Sequence, residues 1–198
     1  MGLTGSVPAD TTESGDPLEL ATLEWIAPYW NADHLVRTRD WLLELEPDAG
    51  LALRLAALAH DIERNFPGGP TPDPANPGYL AEHAERSAVI TRDWLIRNGA
   101  ESELAAAVGA LVAAHEVGGF PEADLLQAAD SLSFLEVNST RPAAWVRDGR
   151  CDAAEARARL RQMFDRIRPE AARAAAAPLL ERAERDLDAA LARLDRGQ

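Results

Sequence analysis

Six side chains that can ligate a metal ion follow one another along this sequence: His34, then His60 and Asp61 as a pair, then His83, His115 and Asp130. The set includes all 4 histidines of the chain. Neutral imidazole together with carboxylate suits iron, manganese, zinc or cobalt, ions that act as Lewis acids or as activators of water. Each candidate sits in an apolar, helix-forming stretch: NADHLVRTRDWLLEL, LALRLAALAHDIERNF, GYLAEHAERSAVI, ELAAAVGALVAAHEVGG and ADLLQAADSLSFLE. One histidine on an apolar helix face is ordinarily a hydrogen-bonded core residue. All of them on separate helices, with two aspartates among them, fit a polar cluster at the centre of a bundle, where facing helices build metal sites.

The elements that must position these groups can be read from caps and periodicity. Asp16 and Pro17, a capping residue followed by proline, predict the start of a first helix carrying Leu18, Leu20, Leu23, Trp25 and Ile26. A second, capped by Asn31 or Asp33, holds His34 and sets Arg37, Thr38 and Trp41 on the same side. A third runs from about Ala49 to His60 and Asp61, whose side chains splay about 100° apart on a helix. The fourth spans about Asn76 to Arg97 and stops at Asn98 and Gly99, with His83, Arg86, Ser87 and Ile90 on its inner stripe. A fifth, from Glu101, presents Leu104, Val108, Leu111, Val112 and His115 before Gly118 and Gly119 end it. The sixth starts at Pro121 and presents Asp130, Ser133, Phe134 and Val137.

Between the third and fourth lies PGGPTPDPANPG, the run richest in proline and glycine. This loop, residues 67–78, is either a lid over the site or a stiff surface connection. After Asn138, RPAAWVRDG reads as a short helix or turn, and residues 152–195 as two helices separated near Pro169, with Pro178 a further break or kink. That hairpin packs through Leu160, Phe164, Ile167, Leu187, Leu191 and Leu194, and either caps the core or forms a homodimer contact. The expected organisation is a disordered leader over residues 1–16, a metal-binding helical core over 17–140 and a helical extension over 141–198.

The order His, His-Asp, His, His, Asp resembles the HD-domain superfamily, over roughly residues 20 to 140. HDIER, HEVGG and ADSLSFLEVN also look like a bacterial subgroup known only as a domain of unknown function. The resemblance implies an all-α, HD-domain helical bundle, here with an additional C-terminal hairpin, and a dinuclear centre. Carried over by position, it implies that His34, His60, Asp61 and Asp130 hold one metal and that His83 and His115, with Asp61 bridging, hold the other. Two divalent transition-metal ions are then the cofactors, iron or manganese foremost, with zinc, cobalt or nickel as alternatives. The implied activity is hydrolysis of a small phosphate ester or nucleotide by water activated between the metals. Some proteins with a similar ligand order are instead mixed-valent diiron oxygenases that cleave a small polar substrate with O2. Arg64 departs from both patterns: the phosphonate-cleaving oxygenases carry a histidine there, and many hydrolases a lysine. A non-catalytic regulatory module is a third reading, although such domains typically lose ligands.

Arg37, Arg64 and Arg86 each lie one turn from a histidine of the set and are, with Asp61, the expected catalytic side chains, holding a phosphate at the rim. Each could equally be an ion-pair partner on the surface. Ser131, Ser133 and Asn138 are further candidates for substrate contact, and Glu63 and Glu116 are candidates to orient ligating histidines.

All 20 cationic residues are arginine, so lysine is excluded as base, Schiff-base former or phosphate anchor. A net charge of −13 opposes nucleic acid and anionic membrane as general partners and leaves an anionic small molecule as the expected one. Cys151 is the single cysteine, outside the metal motif, and cannot form an internal disulfide. With no apolar run of membrane-spanning length and no secretion signal, the expected location is the cytoplasm.

Overall fold

The side chain of Asp16 accepts a hydrogen bond from the Leu18 amide at 2.9 Å and Pro17 occupies the first turn, so helix α1 (Pro17–Ile26) begins where cap and proline set it. The computed structural model describes residues 15–70 and 77–196. The chain continues through α2 (Ala32–Leu45), α3 (Leu51–Ala59), a 3₁₀ turn (Ile62–Asn65), α4 (Pro77–Arg97) and α5 (Ser102–Ala114). It ends with α6 (Pro121–Val137), α7 (Arg141–Arg147), α8 (Ala153–Asp165) and α9 (Glu170–Arg196). Among the described residues there is no strand, so the chain is all-α. Gly99, at φ 86°, and Gly118 and Gly119, at φ 64° and 109°, take the left-handed backbone that follows α4 and α5.

Helix α3 is apolar apart from Arg54, which pairs with Glu19 of α1, and Leu55, Ala56, Ala57, Leu58 and Ala59 are all fully buried. So apolar a helix must be surrounded, and α1, α2, α5 and α6 pack around it. Helix α4 lies along α5 and shuts the far side through Ala88 and Leu95, while Trp94 stacks on Trp25 of α1 with ring centroids 4.4 Å apart. Helix α6 is buried continuously from Leu126 to Leu135 because it has two apolar faces. One, with Leu126 and Ala129, belongs to the core around α3. The other, with Ala128, Leu132 and Leu135, packs against Leu160, Met163 and Ile167 of the α8 segment and Leu187 of α9.

The C-terminal hairpin therefore rests on α6, with Phe164 and Leu191 packed at the edge of that second cluster and Leu194 half-buried. Pro178 does not break the chain as expected: α9 continues through it. Ala172 and Ala176 before it and Ala183 and Leu187 after it are buried in one cluster, and that packing outweighs the one hydrogen bond a proline removes. Of the leader expected over residues 1–16, only Gly15 and Asp16 fall among the described residues, and 71–76 of the loop 67–78 lie outside them. No helix among the described residues is long and apolar enough to cross a membrane.

Candidate metal centre

Helices α3 and α5 both stop at a histidine. His60 and His115 are their C-terminal caps, each retaining helical backbone while the chain beyond turns away. After His60 the backbone leaves the helix at Asp61 (φ −105°, ψ 19°), so the splay of about 100° expected for two helical neighbours does not apply. That departure lets adjacent residues face one volume. His34 from α2 and His83 from α4 complete a row of imidazoles, with centroids 5.2 Å apart for His34 and His60, 5.1 Å for His60 and His115, and 5.6 Å for His115 and His83. All of these rings are buried.

In each ring Nδ1 is engaged by an acceptor. His60 Nδ1 donates to the Ala57 carbonyl at 3.0 Å, His115 Nδ1 to the Val112 carbonyl at 2.7 Å, and His83 Nδ1 to Glu63 Oε2 at 2.8 Å. Ser133 Oγ spends its proton on the His34 carbonyl (2.9 Å) and so accepts from His34 Nδ1 (2.8 Å). Acceptors on Nδ1 fix the proton there and leave the Nε2 electron pair free, the tautomer that a ligating histidine needs.

Every Nε2 faces a carboxylate. His34 and His60 Nε2 lie 3.1 and 3.4 Å from Asp130 Oδ1, and His83 and His115 Nε2 lie 2.7 and 3.8 Å from Asp61 Oδ1. An electron pair opposite an anionic oxygen is repulsive unless a positive charge is shared between them. Among the described residues, His60 and His115 Nε2 are buried without any hydrogen-bond partner. Two groups of donor atoms lie within 4.8 Å of one another, His34 with His60 and Asp61, and Asp61 with His83 and His115. Donor type, tautomer and orphaned nitrogens all fit a bound metal ion, and Asp61 is common to both groups. The chain therefore holds His and Asp groups able to bind a metal ion.

Protonation reflects the same crowding. Burial pushes the His115 imidazole down to about 4, with His60 and His83 adding to the effect. Burial also opposes charge on His60, but the Asp130 and Asp61 carboxylates outweigh it and raise that ring to about 8. Arg64 and then His83 hold Asp61 well below the usual carboxylate range despite its burial, and Arg166 and His60 do the same for Asp130.

Metal-free protein should lose stability on both sides of about pH 6.5, the ordinary imidazole value. As pH falls from 6.5 toward 4, the unfolded chain protonates His115 while the fold refuses that proton. As pH rises from 6.5 through 8, the unfolded chain releases the His60 proton that the fold retains, and its stabilising contribution disappears. Thermal melting of chelator-treated protein across this range tests the prediction, and a flat profile would refute it.

The surrounding residues place the expected second layer with some changes. Glu63 is buried, orients His83, and takes the Ser87 side chain against its own amide, which donates to Ser87 Oγ at 3.3 Å. Gly69 passes so close that a Cβ there would collide with Glu63 Oε1. Glu63→Gln should weaken metal retention about 10–100-fold, measured by competition with a chelator, because an orienting carboxylate also raises ligand basicity. Unchanged retention would remove Glu63 from this role.

Arg64 donates to Asp61 Oδ2 at 2.7 Å, to the Tyr79 hydroxyl at 2.7 Å and to His83 Nε2 at 3.3 Å, and it lines the cavity. Arg37 and Arg86 do not line it. Arg37 is held by Glu136 at 2.5 Å and Glu44 at 2.8 Å over the Trp41 ring, because three residues along a helix is about 300°, which sets it on the flank rather than over His34. Arg86 donates instead to the carbonyls of Pro67 and Gly68 and pins the loop after the 3₁₀ turn. Glu116 does not orient a histidine through Nδ1; its carboxylate lies 3.7 Å from His115 Nε2 and is held by Arg166 at 2.7 Å. Ser131 and Ser133 are fully buried and bonded within the protein, whereas Asn138 faces the cavity.

Arg166, which follows α8, has no counterpart in the sequence reading. It donates to Asp130 Oδ2, to Glu116 Oε2 at 2.7 Å and to Ser131 Oγ at 2.8 Å, so Asp130 is clasped on one oxygen while the other faces His34 and His60. Only its position three residues before Pro169, at the expected break between two helices, hinted at a turn that could face inward. Tyr79 was likewise missed.

The cluster opens into a cavity of about 860 Å³, floored by His34, Asp61, Glu116 and Asp130 and walled by α7 and α8. No curated protein and no solved structure matches the chain. A family model described as a domain of unknown function, DUF4202, matches residues 9–187, nearly the whole chain, and the protein belongs to that family.

Proposed function

We propose that the chain is a metal-dependent phosphohydrolase acting on a small anionic phosphate ester. The observation that carries this reading is the convergence of four Nε2 electron pairs on two carboxylates at the floor of a cavity, with Nδ1 of each ring committed to an acceptor. Its ligand order also resembles the dinuclear HD-domain proteins, whose activity is predominantly hydrolytic. Divalent cations at such ligands acidify water and polarise phosphoryl oxygens.

The protein's own residues supply the rest. His34, His60, His83, His115, Asp61 and Asp130 would hold the ions; every ring is buried, while Asp61 reaches the cavity from which water and substrate would enter. Arg64 brings a guanidinium into the cavity beside Asp61, where it can hold a phosphoryl oxygen by charge-assisted hydrogen bonds. Two structural facts favour a phosphate ester over a neutral substrate. The chain offers Arg64 beside the cluster, and further guanidinium groups on the cavity wall in a protein whose net charge is −13.

Anaerobic purification, metal analysis and parallel assays of phosphate release and oxygen uptake over nucleotides, sugar phosphates and phosphonates test the proposal. Phosphate release supported by manganese or another redox-quiet ion, without oxygen uptake, is expected. Two irons with substrate-dependent oxygen consumption would replace it by the diiron oxygenase reading.

A further inference from the structure

The arginines of this chain are mostly accounted for by carboxylates. Among the described residues, those without an ion pair are Arg92, Arg97, Arg182, Arg193 and Arg196, all on exposed surface, and three that line the cavity, Arg141, Arg150 and Arg159. Arg141 and Arg159 are the partly buried members of that unpaired set. A guanidinium withdrawn from water without a carboxylate is disfavoured, most of all in a protein with 33 acidic residues to choose from.

The three stand on aromatic rings. Arg141 lies over Trp30 with its guanidinium carbon 4.3 Å from the ring centroid, Arg150 over Trp145 at 5.9 Å and Arg159 over Phe134 at 6.0 Å. Arg159 gives one hydrogen bond, to Gln162 Oε1 at 2.8 Å, while its Nε is buried without a partner among the described residues. Glu155, the acid on the same wall, is occupied as the capping partner of the Asp152 amide. Like charges also crowd together here. Burial and then the neighbouring Arg64 hold Arg141 below its ordinary pKa, with Arg150 adding to the shift, and burial and Arg166 do so for Arg159.

We propose that Arg141, Arg150 and Arg159 form an anion subsite on the wall of the cavity whose floor carries the metal-ligand cluster, and that it binds a second phosphate or carboxylate group of the substrate. The substrate class is accordingly a small molecule with two anionic groups, one presented to the metals and the other to the α7 and α8 arginines. Which end meets the metals rests on the hydrolytic reading; the subsite itself does not. Aromatic rings beneath the guanidiniums hold the cations in place before an anion arrives, and the fork of each arginine suits the planar or tetrahedral oxygens of such groups.

Full-length protein freed of metal by chelation should bind inorganic phosphate or succinate, measured by calorimetry and by tryptophan fluorescence, since Trp30 and Trp145 lie under two of the arginines. Arg141→Gln combined with Arg159→Gln should weaken that binding at least about tenfold. Arg150→Gln, at an exposed position that does not bear on folding, should weaken it about threefold. Arg157→Gln, whose side chain is paired with Asp188 outside the cavity, should leave it unchanged. Preference for phosphate or for succinate identifies the second group. Absence of binding by either anion, or equal affinity in wild type and both cavity variants, overturns the subsite. Failure of metal-dependent phosphate release would end the hydrolytic reading and leave this binding intact.

Discussion

On the proposed hydrolytic reading with two bound ions, Asp61→Ala should abolish turnover and lower the occupancy of both metal positions together. Asp61 is the one side chain common to the two donor groups, and its Oδ1 faces the Nε2 atoms of His83 and His115. Removing it also strands Arg64, which would keep only Tyr79 and His83 as partners. Phosphate release should fall by more than about a hundredfold, beyond the range for residues that merely orient a ligand. Metal content of the variant, measured after exhaustive dialysis, separates this from a purely local effect on substrate. Normal turnover, or full retention of both ions, would show that Asp61 does not bridge.

Arg166→Ala should destabilise the fold strongly. It leaves Asp130 and Glu116, both nearly enclosed, without their shared counter-charge, and the loss of one partner from a buried pair costs about 3–5 kcal/mol. Denaturant unfolding of the chelator-treated variant measures that cost directly. Arg166→Lys divides the two consequences. A lysine restores the charge but carries its donors on one nitrogen, which cannot span Asp130, Glu116 and Ser131 as the planar guanidinium does, so stability should largely return while metal retention stays about tenfold weaker. If Arg166→Lys binds metal as tightly as wild type, Arg166 is a structural cation and not a positioning residue.

The helices were legible because their start and stop signals are local. Asp16 with Pro17, Pro121 and the glycines after α4 and α5 all act within a turn of their own position. The polar cluster was legible for a different reason: six imidazole and carboxylate groups in otherwise apolar stretches have no place to go but inward. What resisted reading was orientation at helix ends. His60 and Asp61 share one volume because helical backbone ends at His60 and Asp61 departs from it, a boundary that a uniform helical period cannot register. Arg37 illustrates the converse error, since spacing of one turn put it near His34 in sequence terms while Glu136, on a helix distant in the chain, drew it away. The segment from Ala153 to Asp165 alternates arginine, glutamate and alanine and reads as a solvated helix packing only through Leu160 and Phe164. That it hides Arg166 and lines a cavity with Arg159 depends on α6 having a second apolar face, which becomes meaningful only once both clusters are assembled.

The clasp on Asp130 also has a bearing on biosynthesis. Asp130 and Arg166 are 36 positions apart, and a ribosome adding about 5–20 residues per second needs roughly 2–7 seconds to travel between them. Throughout that interval the nascent polypeptide has all six would-be ligands translated but lacks the guanidinium that neutralises two of its inward-facing acids. The counter-charge of Asp130 and Glu116 thus arrives only after every would-be ligand has been translated.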